Sequence, residues 1–281
     1  MSNNVIVPEI FKNIVGAKFK EKVKLLNLAV DLGQIPEFSE VGDTIHFPKF
    51  KALDTSKMKE MKKGDILDVT ELEQEDSTAV IKQVGFASRV YDIVDLTAFG
   101  NHVQENARQH ATIFARKLDN DIAKEAQATP LKVATGNADT LTIAELSQGM
   151  TLFGDEIDTE EFSGIVINSR LVGSMYAMPE FVNTGLTYTK EGNGIVKNGC
   201  IGLWRGIPVY VADHGTYDTT KKECITYIIK NGALGYKMKR DLNIELDRQA
   251  KSKATDVVTD MIYATKLLKD DGLVVIRKTI A

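Results

Sequence analysis

Residues 97–128 read TAFGNHVQENARQHATIFARKLDNDIAKEAQA. Phe99, Val103, Ala107, Ala111, Phe114, Leu118 and Ile122 recur at steps of three or four and draw one apolar stripe along a helix. Asn101, Glu105, Arg108, Arg116, Asn120 and Lys124 fall on the opposite face. Asp95 or Thr97 can cap its start. Thr129-Pro130 ends it, because the residue before a proline avoids the helical region. Such a helix would be about 48 Å long. A rod of that length predicts an extended molecule built around it.

Upstream of the rod, Gly42-Asp43-Thr44 opens a short strand with Ile45 and Phe47 on one side. A polar excursion follows. Six lysines lie between Lys49 and Lys63, against Asp54 and Glu60, and Asp65 to Asp76 holds six acids and no base. Strand pattern then returns, with Val80, Val84, Phe86, Val90 and Val94 on even positions. The pattern predicts two strands joined by a long loop, and loops of that length usually serve a function. The charge split has two readings. One is a solvated loop. The other is a contact between copies, in which Lys57, Lys59, Lys62 and Lys63 of one meet acidic surface such as Glu71, Glu73 and Glu75 of the next.

Residues 8–31 start with Pro8, favourable in a first helical turn. Ile10, Ile14, Ala17, Leu25, Leu28 and Ala29 then recur among lysines, which predicts a helical arm broken at Gly16. The arm has too little apolar surface to stand alone. Downstream of the rod, Thr142–Asp158 and Ser169–Phe181, up to Pro179, read as helices. Residues 164–168 (GIVIN), 207–212 (IPVYVA) and 225–229 (ITYII) read as buried strands, and 187–199 as a glycine-rich loop. This is a compact mixed α/β unit. Leu242, Ile244 and Leu246 then alternate with Asn243, Glu245 and Asp247, and further strand pattern covers 256–263 and 273–276. The whole is α+β, with segments at 1–36, 37–88, 89–136, 137–240 and 241–281.

A formal net charge of −4 over 281 residues argues against a broad nucleic-acid-binding face. No apolar run reaches transmembrane length, and Met1–Ile10 lacks the layout of a signal peptide. Cys200 and Cys224 form no CxxC and read as reduced thiols. Phosphate-loop, dinucleotide, nucleophile-elbow and zinc-protease motifs are missing. His102 and His110 are eight apart, not at ligand spacing, and read with His46 and His214 as surface or interface residues. No carboxylate pair sits in an apolar run that would raise its pKa. The expectation is a chain with no catalytic residue, no metal and no cofactor.

The order of parts resembles the major capsid proteins of tailed bacteriophages, with the Hong Kong 97 fold. GDTIHFPKF (42–50) is similar to the strand entering that family's extended loop. QVGFASRVYDIVDL (83–96) and the helix through Asp119-Asn120-Asp121 are similar to the return strand and spine helix. GLWRGIPVYVADHG (202–215) looks like the central strand of the axial domain. RDLNIEL (240–246) through DDGLVVIRK (270–278) looks like the strands of the peripheral domain. The resemblance spans nearly the whole chain through loose patterns.

It implies an N-terminal arm (1–36), an extended loop with flanking strands (37–88), a spine helix (89–136), an axial domain (137–240) and peripheral return strands (241–281). It also implies a structural protein that self-assembles into hexamers and pentamers of an icosahedral head around double-stranded DNA, without sequence-specific binding or membrane contact. Its partners would be further copies, scaffolding, portal and decoration proteins. Assembly would occur in the host cytoplasm. The arm would lie on a neighbouring subunit. A helical pattern beginning at Pro8 would mean a separate scaffold or a chain already cleaved. An encapsulin shell and, more remotely, a soluble α/β enzyme are the alternatives.

Overall fold

Two β-sheets share one long helix. A computed structural model describes residues 16, 18–19, 22–34, 44–50, 53, 57–62, 64, 66–67, 69–72, 74–97, 102–155, 157–182 and 199–280. The strands are β1 (Val30–Gln34), β2 (Thr44–Phe50), β3 (Gln74–Val80), β4 (Lys82–Tyr91), β5 (Lys132–Ala134), β6 (Phe162–Ile167), β7 (Cys200–Trp204), β8 (Ile207–Val211), β9 (Tyr217–Asp218), β10 (Glu223–Cys224), β11 (Thr226–Lys230), β12 (Leu234–Gln249), β13 (Ala254–Leu267) and β14 (Leu273–Arg277). The α-helices are α1 (Asp92–Thr97), α2 (His102–Ala126), α3 (Ile143–Thr151), α4 (Val172–Tyr176) and α5 (Pro179–Val182).

The six-stranded sheet runs β5-β14-β11-β6-β8-β7 and the four-stranded sheet β1-β12-β13-β4. Side chains alternate across a strand, so both faces of the larger sheet can be read from its sequence. Val166, Tyr227, Ile229, Leu273 and Val275 face one core, together with α2 and the four-stranded sheet. Ile165, Ile167, Ile228, Val274 and Ile276 face a second core with Leu146 of α3, Met175 of α4 and Trp204. Coverage on both faces is why 164–168 and 225–229 are apolar without interruption. Over its β12–β13 hairpin end the smaller sheet is covered on one face, and β12 shows it: Leu242 and Ile244 are buried, whereas Glu245 and Asp247 are exposed.

The spine, α2, has 25 residues, about 38 Å, rather than the expected 32-residue span. Phe99 lies outside the described residues. Ala107, Ala111, Phe114, Leu118 and Ile122 are all buried, and Glu105, Arg108, Arg116 and Lys124 are exposed, as the stripe requires. Beyond its end, the Thr129 hydroxyl donates to the carbonyls of Leu273 (2.7 Å) and Asp270 (3.1 Å), tying the helix exit to β14.

Several expectations are corrected. The strand pattern through Val94 is broken at Ile81 into β3 and β4, which join different sheets, and Val94 belongs to α1. Period-two spacing persists across a break because both strands keep one parity. The helix expected over 142–158 has its capping box at Thr142 and Glu145 but stops at Thr151, before a turn in which Gly154 takes a φ of +69°. Pro179 does not end a helix but occupies the first position of α5. Strand β12 begins at Leu234, not near 241, and β14 pairs with β11 and β5 in the six-stranded sheet. The chain therefore leaves the larger sheet, makes the long β12–β13 hairpin, and returns. Alternation cannot reveal such a return, since it reports a strand's faces and not its neighbours.

The turn after β8 presses against the spine. Gly215 has a φ of +77°, and a Cβ there would overlap that of Ala123. The Tyr227 hydroxyl donates to the Gly215 carbonyl at 2.7 Å and accepts from the Gln127 amide at 3.1 Å. Gly215→Ala should cost about 1–3 kcal/mol from overpacking alone. Gly173→Ala, with nothing within 4 Å of its Cβ position, should not destabilise. Urea midpoints of the two variants test the contrast.

Candidate assembly surfaces and the arm clasp

The β2–β3 hairpin is anchored at its root, and the described apolar residues beyond its strands are exposed. It is antiparallel, with Thr44 opposite Val80 and Phe50 opposite Gln74. Ile45, Phe47 and Ala79 pack on Ala264 of β13 in a small separate core. The Lys237 ammonium lies 5.1 Å from the centre of the Phe47 ring. Beyond the strands, Leu53 (61%), Met58 (80%), Met61 (52%), Ile66 (92%), Leu67 (53%), Val69 (92%) and Leu72 (57%) are exposed. Sequence reading took this stretch for a polar excursion and missed them. They follow neither a period of 2 nor of 3.6, so no pattern rule selects them. Their signal was the presence of seven large apolar residues in a loop too long to be a turn.

Of the residues proposed for contacts between copies, Lys57, Lys59, Lys62 and Glu71 are exposed on this loop. Glu75 lies on β3 opposite Lys49 in the backbone register. Lys63 and Glu73 lie outside the described residues. The lysines and the apolar side chains thus share one exposed segment.

Away from the β2–β3 hairpin, the outer face of the four-stranded sheet carries paired charges. Arg89 grips Asp256 through two bonds, at 2.6 and 2.8 Å, and holds that carboxyl below its usual range. Arg240 reaches Asp260 at 3.2 Å. At the mouth of α1, Arg248 grips Asp92 through two bonds of 2.6 Å. These are exposed pairs, which solvent screening leaves contributing little to stability.

Three polar groups sit on the covered faces. His110, expected at a surface or interface, is fully buried. Its Nε2 lies 2.7 Å from the Ser88 hydroxyl, its Nδ1 2.9 Å from the Thr259 hydroxyl, and Phe86 meets the ring edge-on. Burial pushes its pKa down, so the ring is neutral at neutral pH. Asp121 accepts from the Tyr263 hydroxyl at 2.7 Å and from Lys117 at 2.9 Å. Burial alone would raise that carboxyl, but these donors outweigh it and hold it low.

Asp119 is different: it is a single carboxylate in an apolar setting, whereas the expectation from sequence concerns only pairs. Burial pushes its carboxyl up to about 6, against the lowering effect of its hydrogen bonds. It accepts from the backbone amides of Lys24 (3.0 Å), Leu25 (3.1 Å) and Leu26 (3.2 Å). These belong to the arm. Val23, Leu25 and Leu28 are buried in the same core as the spine. The described part of the arm is therefore seated on its own chain. Nor is it helical to Asp31: a short 3-10 turn at Leu26–Leu28 leads into β1, which runs parallel to β12. Asp119 is four residues from both Ala115 and Ala123, which are buried. That spacing puts it on the buried arc and could have marked it.

At the other end of the spine, Arg277 on β14 meets Glu223 at 2.6 Å, Asp218 at 2.7 Å and Gln127 at 3.3 Å. Cys224 is buried with its sulfur 3.4 Å from an Asp139 oxygen, and Cys200 is half-buried. Among the described residues, no group of three or more His, Cys, Asp or Glu is placed to hold a metal. An open cleft lined by Asp158, Glu160, Glu161, Lys230 and Lys269 is polar, with Lys230 and Glu161 paired at 3.2 Å. What the arrangement offers is contact surface and internal bracing.

Comparison with known proteins agrees. No family model matches the sequence. The chain is 26% identical over 279 residues to the major capsid protein of Staphylococcus phage phiMR11, spanning 99% of this chain and 95% of that protein. Its fold is similar to the capsid protein of cyanophage P-SCSP1u, with a TM-score of 0.64 at 15% identity over 92% and 89% of the two chains. It is also similar to an encapsulin of Synechococcus elongatus, with a TM-score of 0.60 at 11% identity over 91% and 86%. The fold is that of shell-forming proteins of the Hong Kong 97 type. Within that class, the likeness in sequence is to a bacteriophage major capsid protein, over nearly the whole chain.

Proposed function

We propose that this chain builds a phage head by packing the exposed loop between β2 and β3 against further copies, in hexamers and pentamers around double-stranded DNA. Catalysis has no part in that role. The observation that carries the reading is the run of seven large apolar side chains, 52–92% exposed, on a hairpin whose root is anchored in its own chain. Exposed apolar patches on that scale mark contact sites. The net charge of −4 also suits a shell that must not adhere to the DNA inside it. Scaffolding and portal proteins would guide assembly in the host cytoplasm, and the finished copies would reside in the virion.

Negative-stain microscopy of the purified full chain tests this. Icosahedral particles, tubes or rings are expected. A uniformly monomeric sample across concentration and salt would overturn it. The encapsulin-like fold supports a second reading, a compartment around protein cargo. Particles that co-purify with a cargo enzyme, and not with DNA, would favour that one.

A further inference from the structure

The Asp119 side chain is 3% exposed, and the three amides it binds all belong to one segment more than 90 residues away. We propose that Asp119 is a latch, a single carboxylate that holds residues 22–34 on the spine and lets that segment leave while both sheets stay folded.

The chemistry of the group favours release as well as docking. A leucine in its place would hold the arm by apolar contact and, on release, would leave that surface in water. A carboxylate is satisfied in both states, by amides when the arm is docked and by water when it is free. Docked, it must give up its hydration, which is why burial raises its pKa. The clasp is therefore less one-sided than an apolar contact of the same size.

The topology separates the arm from the rest. Its strand, β1, lies at the edge of the four-stranded sheet, with all five residues exposed and a register shift between Asp31 and Gln34. Lifting β1 breaks no interior strand pair. Further attachments are the plugs Val23, Leu25 and Leu28, the partly buried Leu26 and Ala29, a hydrogen bond between Asp31 and Tyr236, and the Lys24 side chain. Lys24 lies across Gly199, where an added Cβ would stand 2.7 Å from its ammonium nitrogen. From Val23 to Leu28 the attachments gather around Asp119, and β1 adds its edge pairing with β12.

Hydrogen exchange on the full chain, read by mass spectrometry before assembly, tests the latch. Asp119→Asn keeps the shape but turns an amide NH2 toward the backbone donors. Asp119→Ala removes the acceptor. Peptides covering 22–34 should exchange at least tenfold faster in the Asn variant and faster still in the Ala variant. Peptides covering 226–230 and 273–277 should be unchanged. Unchanged exchange over 22–34 in both variants would overturn the proposal, since packing alone would then hold the arm. So would arm and sheet peptides accelerating together, or an Asn variant that fails to fold, since Asp119 would then belong to the core and not to a separable clasp.

Discussion

Arg277→Met should destabilise the free subunit by about 3–5 kcal/mol, the usual cost of removing one partner of a buried ion pair. Methionine keeps much of the apolar stem, so most of the loss is electrostatic. Glu223 is 1% exposed and its carboxylate binds Arg277 and the Thr279 amide, the latter at 2.9 Å. Burial by itself would raise that carboxyl, but the bonds from Arg277 and Thr279 outweigh it and hold it below the ordinary range. Asp218 is likewise held low, by the Lys221 amide and by Arg277. Both folded values are depressed, so both groups add stability above the unfolded carboxylate pKa of about 4. That contribution is lost as pH falls through the lower folded values. In the Met variant Glu223 keeps its burial and loses its main donor, so its carboxyl should move up and the variant should gain stability on acidification from neutral. The gap to the unaltered chain should therefore be widest near pH 7 and narrow toward pH 4. Adding Glu223→Gln to Arg277→Met should recover about 1–3 kcal/mol by removing the stranded charge. Urea unfolding at the two pH values measures all three variants. Equal midpoints for Arg277→Met and the unaltered chain at pH 7 would refute the network's role.

What the sequence disclosed follows from what a periodic pattern can encode. The stripe through Ala107, Phe114, Leu118 and Ile122 encoded a buried helix face, and the structure buries it. The unbroken apolar runs at 164–168 and 225–229 encoded strands covered on both sides, and two cores cover them. Patterns do not encode partners. β3 and β4 look like one strand until Ile81, and the parity of Leu273–Arg277 is equally consistent with either sheet. The arm shows the limit most clearly. Its apolar positions were legible as needing a surface, but the carboxylate that fixes it sits some ninety residues away, on a helix face otherwise read as apolar. A polar residue inside an apolar stripe looks like noise in a periodicity count. In the structure it is the residue that says what the stripe is packed against.

If the loop beyond β2 and β3 packs against further copies as proposed, magnitudes decide whether charge or apolar burial drives that contact. Fully covering Met58, Ile66, Val69 and Leu72 would contribute about 1.5–3 kcal/mol each, or about 6–12 kcal/mol gross per contact. Part of that is lost to ordering the segment. Exposed ion pairs from Lys57, Lys59, Lys62 and Lys63 would add about 0–1 kcal/mol each, less as salt rises. Apolar burial should therefore dominate, with charge choosing register and partner. Replacing the four apolar residues with serine should leave the urea midpoint of the free subunit nearly unchanged, because the side chains described there are already 57–92% exposed. It should raise the concentration needed for shell formation at least ~100-fold, equivalent to losing about 2.7 kcal/mol per subunit. Reversing the four lysines to glutamate should slow assembly or admit misjoined particles at low salt, yet still give shells at higher salt. Light scattering during assembly, followed by microscopy of the products, separates the two variants. If the serine variant assembles normally while the glutamate variant forms nothing at any salt, the order of the two effects is reversed and the loop is an electrostatic contact after all.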